Sequence, residues 1–146
     1  MMKSAYGTTA AVLLCAVLSL PGFAQTAKPA ITSAHHAQIA HGEYLVKAIA
    51  GCGDCHTPTN DKGQPVPGQW LQGTKLSFGP LVPVPGWVNV SPKIAGLEGW
   101  DTEQAIHLLM TGTAPSGHHQ PRPPMPQYHM NNTDAAAVVA YLKSLK

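Results

Sequence analysis

The sequence predicts an all-α fold of three to four short helices joined by long loops. Three observations carry that expectation. Apolar residues recur at three- and four-residue steps in three separate segments, and no segment sustains the alternation of a half-buried strand. Fourteen prolines and fourteen glycines crowd mainly between those segments. A chain of 146 residues is, at that length, a single domain.

In chain order, residues 1–24 read as a secretory signal: Lys3, the apolar run Ala10 to Leu20, then Pro21-Gly22-Phe23-Ala24, with small residues where a signal peptidase cuts. A run of about eleven apolar residues is too short for a bilayer core, which needs about twenty. Cys15 lies inside this run, but the larger Leu14 before it speaks against a lipidated anchor. Residues 25–35 form a polar, alanine-rich, flexible lead-in, and 36–146 the folded domain.

Ser33 is positioned to cap a helix running to about Ala50, in which Ile39, Gly42, Val46 and Ile49 form the apolar stripe, flanked by Tyr44 and Leu45. From Thr57 to Gly99 the apolar residues keep no period and proline and glycine are dense, which predicts a long wrapping loop of the kind that carries function. Asp101 then caps a second helix, with Gln104 in the capping-box position, Ala105, Ile106, Leu109 and Met110 inward, and Gly112 as its stop. After a second proline-rich loop, Thr133 caps a last helix whose Ala135, Val138, Val139, Leu142 and Leu145 share a face.

Without the signal, eight Lys and Arg stand against seven Asp and Glu, so no long-range field marks the chain for nucleic acid or an acidic membrane. Cys52 and Cys55 are then the only cysteines, and an exported chain does not leave thiols idle. A disulfide across two residues would constrain the unfolded chain little.

The cysteines lie in GCGDCHT, residues 51–57. Residues three apart on a helical turn share a face, with Cβ atoms about 5–6 Å apart, so both sulfurs reach one edge of a flat macrocycle. His56, directly after the second cysteine, can swing its imidazole onto a central iron. The C-x-x-C-H spacing is that of c-type haem attachment. Zinc wants a second ligand pair, and His118 and His119 are adjacent while His129 stands alone. A thioredoxin-like dithiol wants a strand before the motif and alternating strands and helices around it, which the sequence lacks.

A haem iron that carries electrons takes a second axial ligand. Met110, Met125, Met130, His107, His118, His119 and His129 all lie downstream. Met125 stands out within Arg122-Pro123-Pro124-Met125-Pro126, because the prolines stiffen the segment before any iron arrives. Met110 fits the core stripe, Met130 precedes the last helix, and the paired histidines sit in an open loop. Met130, a histidine and an open site remain the alternatives.

CGDCHT, NVSP at 89–92, GLEGW at 96–100, PPMPQY at 123–128 and the terminal DAAAVVAYLKSL together resemble class I bacterial cytochromes c. The likeness is greatest to single-haem domains in the cytochrome subunits of periplasmic alcohol and aldehyde dehydrogenases, and it covers about residues 38–146. It implies a small cytochrome c-like fold wrapped around one covalent haem c. Thioethers come from Cys52 and Cys55, iron ligation from His56 and Met125. It implies a first helix crossing the last near Gly42, against Tyr141 or Leu142, and a carbonyl from Pro65 or Pro67 accepting the other His56 ring proton. Residues 36–146 are then the cytochrome c domain, exported to the periplasm. Two departures stand out: NVSP replaces the more usual NxTP, and one C-x-x-C-H replaces several, so this chain cannot relay electrons between haems by itself.

The functional expectation is a one-electron carrier whose partners are redox proteins, a dehydrogenase or another cytochrome or oxidase, meeting a membrane only through a partner complex. A subunit bound within a periplasmic dehydrogenase is the first alternative. A haem enzyme or sensor with open iron is the second. Trp70, Trp87 and Trp100 are candidate indole donors to the haem propionates, and Arg122 a candidate ion-pair partner. Since short helices and proline loops bury little against each other, the haem is expected to serve as core as well as cofactor.

Overall fold

The computed structural model describes residues 28–145; the expected signal segment lies outside them. Four α-helices carry the chain: α1 (Lys28–Tyr44), α2 (Cys52–His56), α3 (Thr102–Thr111) and α4 (Asn132–Ser144). A π-helical turn, Leu45–Ile49, continues α1 to within three residues of Cys52. Two strands of two residues each, β1 (Thr74–Lys75) and β2 (Val90–Ser91), pair antiparallel with Thr74 opposite Ser91. They pin the ends of the loop between them.

The packing centre is the crossing of α1 over α4. Gly42 makes it possible: a Cβ there would stand 1.9 Å from the Ala137 carbonyl oxygen and 2.9 Å from the Tyr141 Cβ. Val46 and Leu45 from the first helix meet Ala137, Val138, Tyr141 and Leu142 there, all buried. On the other side of α4, Ala135 and Val139 meet Ala105 and Ile106 of α3.

The helix boundaries refine the sequence reading. α1 is already helical at Lys28, the first described residue, so Ser33 lies inside it and not at its cap, and part of the 25–35 lead-in is helical. The π turn adds a residue per turn and rotates the stripe. Leu45 is thereby buried and Ile49 turned out to solvent. At α3 the capping box is complete: the Asp101 carboxylate accepts from the Gln104 amide at 2.7 Å and the Gln104 side chain accepts from the Asp101 amide at 3.4 Å. Gly112 ends the helix with φ 70°. At α4 the cap is Asn131, not Thr133, its side chain accepting from the Asp134 amide at 2.9 Å.

Candidate haem-binding site

Gly51, with φ 59°, turns the chain from the π turn into α2. That short helix puts Cys52 and Cys55 three residues apart, both half-buried and neither in a disulfide. Burial pushes both thiols up, so they stay protonated near neutrality. Between them, Gly53 is roofed by Trp70: a Cβ at Gly53 would lie 2.5 Å from the indole ring. Trp70 is itself held, its Nε1 donating to the Tyr141 hydroxyl at 3.0 Å.

His56 is 5% exposed. Its Nδ1 lies 2.7 Å from the Pro92 carbonyl oxygen. A carbonyl only accepts, so Nδ1 carries the proton and Nε2 keeps a lone pair. Burial lowers the His56 pKa, against the Pro92 carbonyl, which raises it, and the ring is neutral as a metal ligand must be. The backbone around it is equally fixed. The Gly73 amide donates to the His56 carbonyl at 2.8 Å, the Ser91 hydroxyl donates to the Cys55 carbonyl, and the Leu71 amide donates to the Thr57 hydroxyl at 3.0 Å.

The carbonyl expected from Pro65 or Pro67 thus comes from Pro92. The 58–66 stretch closes on itself, Val66 donating to Pro58 at 2.9 Å and Thr59 bridging Pro65, and both prolines face solvent. The β1–β2 pair instead brings the NVSP segment alongside α2.

Facing into the same space is the segment 119–128. Its backbone turns at Arg122, which accepts from the Met125 amide at 3.0 Å. Arg122 Nε donates to the Gly86 carbonyl at 3.0 Å, and the Val88 amide to Pro123 at 2.8 Å, tying this segment to the apolar loop 76–92. Tyr128 spans back to the other side, its hydroxyl donating to the Ala50 carbonyl at 2.9 Å, beside Cys52. Burial, ahead of the neighbouring cysteine sulfurs, pushes its phenol up to about 12.

The result is one cavity of about 520 Å³, within the roughly 300–1,000 Å³ of small-molecule sites. Cys52, Cys55, His56 and Met125 all line it, with Leu97, Leu108, Val138 and Leu142 among its apolar walls. Two thiols at one edge, a neutral imidazole with a free lone pair and an apolar slot fit a covalently attached flat porphyrin. Of the other sixth-ligand candidates, only His119 lines the cavity. Met110 and Met130 pack on the core instead. Among the described residues no three of His, Cys, Asp and Glu gather as a metal site.

The tryptophans divide. Trp70 bonds Tyr141, Trp87 donates to Asn89 Oδ1 at 2.9 Å, and only Trp100 lines the cavity. His118, expected in open solvent, stacks on Trp100 with centroids 3.8 Å apart and shares a 2.9 Å hydrogen bond with Gln104. The sequence reading missed Pro92, Ser91, Tyr128 and the His118 stack as parts of the site. The quoted NVSP and PPMPQY motifs contain the first three.

The family model for cytochrome c matches residues 39–146. The chain belongs to the cytochrome c family. It therefore carries covalently bound haem c with its iron and transfers electrons without being a catalyst itself. The cytochrome subunit of fructose dehydrogenase from Gluconobacter japonicus is 28% identical over 114 residues, covering 71% of this chain and 21% of the relative. The cytochrome c subunit of alcohol dehydrogenase (quinone) from Gluconobacter oxydans strain 621H is 28% identical over 115 residues, 74% of this chain and 24% of the relative. This cytochrome thus spans under a quarter of the length of either relative.

Proposed function

We propose that this cytochrome is a periplasmic one-electron carrier with His56 and Met125 as axial ligands and thioethers at Cys52 and Cys55. Residues 1–24 are a cleaved signal peptide, 25–35 a lead-in to the folded part, and 36–146 the cytochrome c domain. The single observation behind the ligand set is that these four residues line one cavity, while Met110, Met130, His107, His118 and His129 do not.

When bound, the haem supplies one electron as its iron passes between Fe(II) and Fe(III). The protein's part is to set the ligands and shield them. The Pro92 carbonyl fixes the His56 ring and strengthens it as a donor. A thioether from Met125 is soft and favours ferrous iron, which raises the potential relative to a second histidine. The proline-flanked turn at Arg122 holds that weak ligand near its post.

Docking rests on apolar contact more than on charge. Residues 76–92 contain no charged side chain, and Phe78, Leu81, Val82, Val84 and Val90 among them are exposed. Leu76, Val88 and Val90 of that stretch also line the cavity, so the patch adjoins the redox centre. Redox encounters are typically small and brief. The rate of reduction by a protein partner is expected to change little with ionic strength.

The deciding experiment is the visible spectrum, oxidised and reduced, of protein exported together with a cytochrome c maturation system, for wild type and Met125→Ala. A low-spin c-type spectrum with a weak far-red sulfur-to-iron band, lost in the variant, supports both ligands. A high-spin wild type that binds carbon monoxide rapidly turns the reading towards an enzyme or sensor. The relatives, both cytochrome subunits of dehydrogenases, favour a second reading, a subunit of a dehydrogenase complex. A stoichiometric complex on gel filtration of native extract separates it from a free shuttle.

A further inference from the structure

The segment that brings Met125 to the cavity brings a second ligating side chain with it. His119 lies six residues earlier and lines the same cavity. The backbone on both sides of it is anchored. His118 is stacked on Trp100 and bonded to Gln104, and the Gln120 side chain closes a ring on Ala114, accepting from its amide at 2.9 Å and donating to its carbonyl at 2.7 Å. Little chain entropy is left to lose in holding His119 at the cavity.

Its ring is also chemically available. His56, His118 and His41 each have a ring nitrogen engaged, by Pro92, Gln104 and Asp134. His119 makes no hydrogen bond with the described residues. His119 is exposed at the rim of the cavity, and an imidazole with both nitrogens uncommitted, carried between two anchored neighbours, is a ligand in waiting.

We propose that His119 is a reserve axial ligand, which takes the sixth coordination position when Met125 leaves it. The proposal rests on the placement of haem between His56 and Met125 given above. Imidazole nitrogen is harder than thioether sulfur, so His119 competes best for ferric iron and Met125 for ferrous iron. The 114–126 loop then contains two settings of the same centre, a high-potential one with sulfur and a lower-potential one with nitrogen. Oxidation of the half-buried Met125 to its sulfoxide by hydrogen peroxide, which passes one oxygen atom to the sulfur and leaves as water, or mechanical opening of the loop by a partner, would hand the iron to His119 without exposing it to small ligands.

The test uses exported holoprotein and reads ferric spin state by electron paramagnetic resonance, with carbon monoxide binding to the ferrous form. Five proteins are compared: wild type, Met125→Ala, Met125→Ala with His119→Ala, Met125→Ala with His129→Ala, and His119→Ala alone. The expected result is a low-spin ferric Met125→Ala without the sulfur band, kept low-spin by His129→Ala and converted to high-spin, carbon monoxide-binding protein by His119→Ala. A Met125→Ala that is already high-spin overturns the proposal, as does one that stays low-spin when His119 is removed. If the wild type lacks the sulfur band and Met125→Ala leaves its spectrum unchanged, it is the Met125 assignment that has failed. The single variant His119→Ala then decides: conversion of that protein to high spin makes His119 the resident ligand, and the reserve role falls with it.

Discussion

On the His56 side of the cavity nearly every polar group of the backbone is spoken for: the ring by Pro92, the Cys55 carbonyl by Ser91, the His56 carbonyl by Gly73. On the Met125 side, four prolines between 121 and 126 replace hydrogen bonding with restricted torsions, and only a few bonds, from Met125, Val88, Arg122 and Tyr128, tie the segment down. His56 is buried and Met125 only half so. One wall is a fixed mount and the other a stiff but detachable arm. With His56 and Met125 as the proposed axial ligands, the difference teaches that the two would serve unlike purposes: one held in place for good, the other setting the potential and open to exchange.

Four variants press on that contrast, in falling order of effect. Removing both thioethers, as Cys52→Ala with Cys55→Ala, takes away the object on which both walls pack; the thermal transition followed by circular dichroism is expected to lose its cooperativity. Gly73→Ala comes next. With φ 80° and a Cβ 2.6 Å from the Lys93 amide nitrogen, it pushes on the backbone that carries the Pro92 carbonyl. The loss in urea unfolding of the holoprotein is expected on the order of 3 kcal/mol, and the proposed ligation of iron by His56 is expected to weaken with it.

Ser91→Ala strips the Cys55 carbonyl of its buried donor and is expected to cost about 1–3 kcal/mol by the same measurement. Tyr128→Phe, on the detachable side, is expected to cost only about 1 kcal/mol. It also carries a pH signature. Folding raises the Tyr128 pKa from 10.0 to about 12, so the folded state holds that proton more tightly than the unfolded one. Its contribution is full below pH 10 and is lost as pH rises from there to about 12. Denaturant titrations across that window should fall more steeply for wild type than for Tyr128→Phe. An equal slope for the two would remove Tyr128 as the strut between the walls.

The fixed mount was the more legible half. GCGDCHT is contiguous, and its chemistry depends on spacing within one helical turn, which a sequence displays directly. The capping box at Asp101 and Gln104 is equally local, as is the stripe on α4. What was not legible depends on closure of the chain over long separations. Pro92 and His56 are 36 positions apart, and which proline reaches the ring is decided by the β1–β2 pairing, four residues in all. The π turn at 45–49 was hidden too, because a 3.6-residue period fits Ile49 to the stripe until one extra residue per turn swings it away. At α4, three residues capable of capping stand in a row, Asn131, Asn132 and Thr133, and only the geometry of the incoming chain chooses the first.

The loop from Phe78 to Val90 is apolar, uncharged and open to water, which in another sequence would be an invitation to aggregate. Here Pro80, Pro83 and Pro85 interrupt it at two- and three-residue intervals, each removing a backbone N–H and fixing φ. A stretch so interrupted cannot lend an unbroken edge to a neighbouring strand, and it cannot zip into a stacked fibril. The same prolines therefore let an apolar face stay open to water without offering the backbone edge through which such faces aggregate.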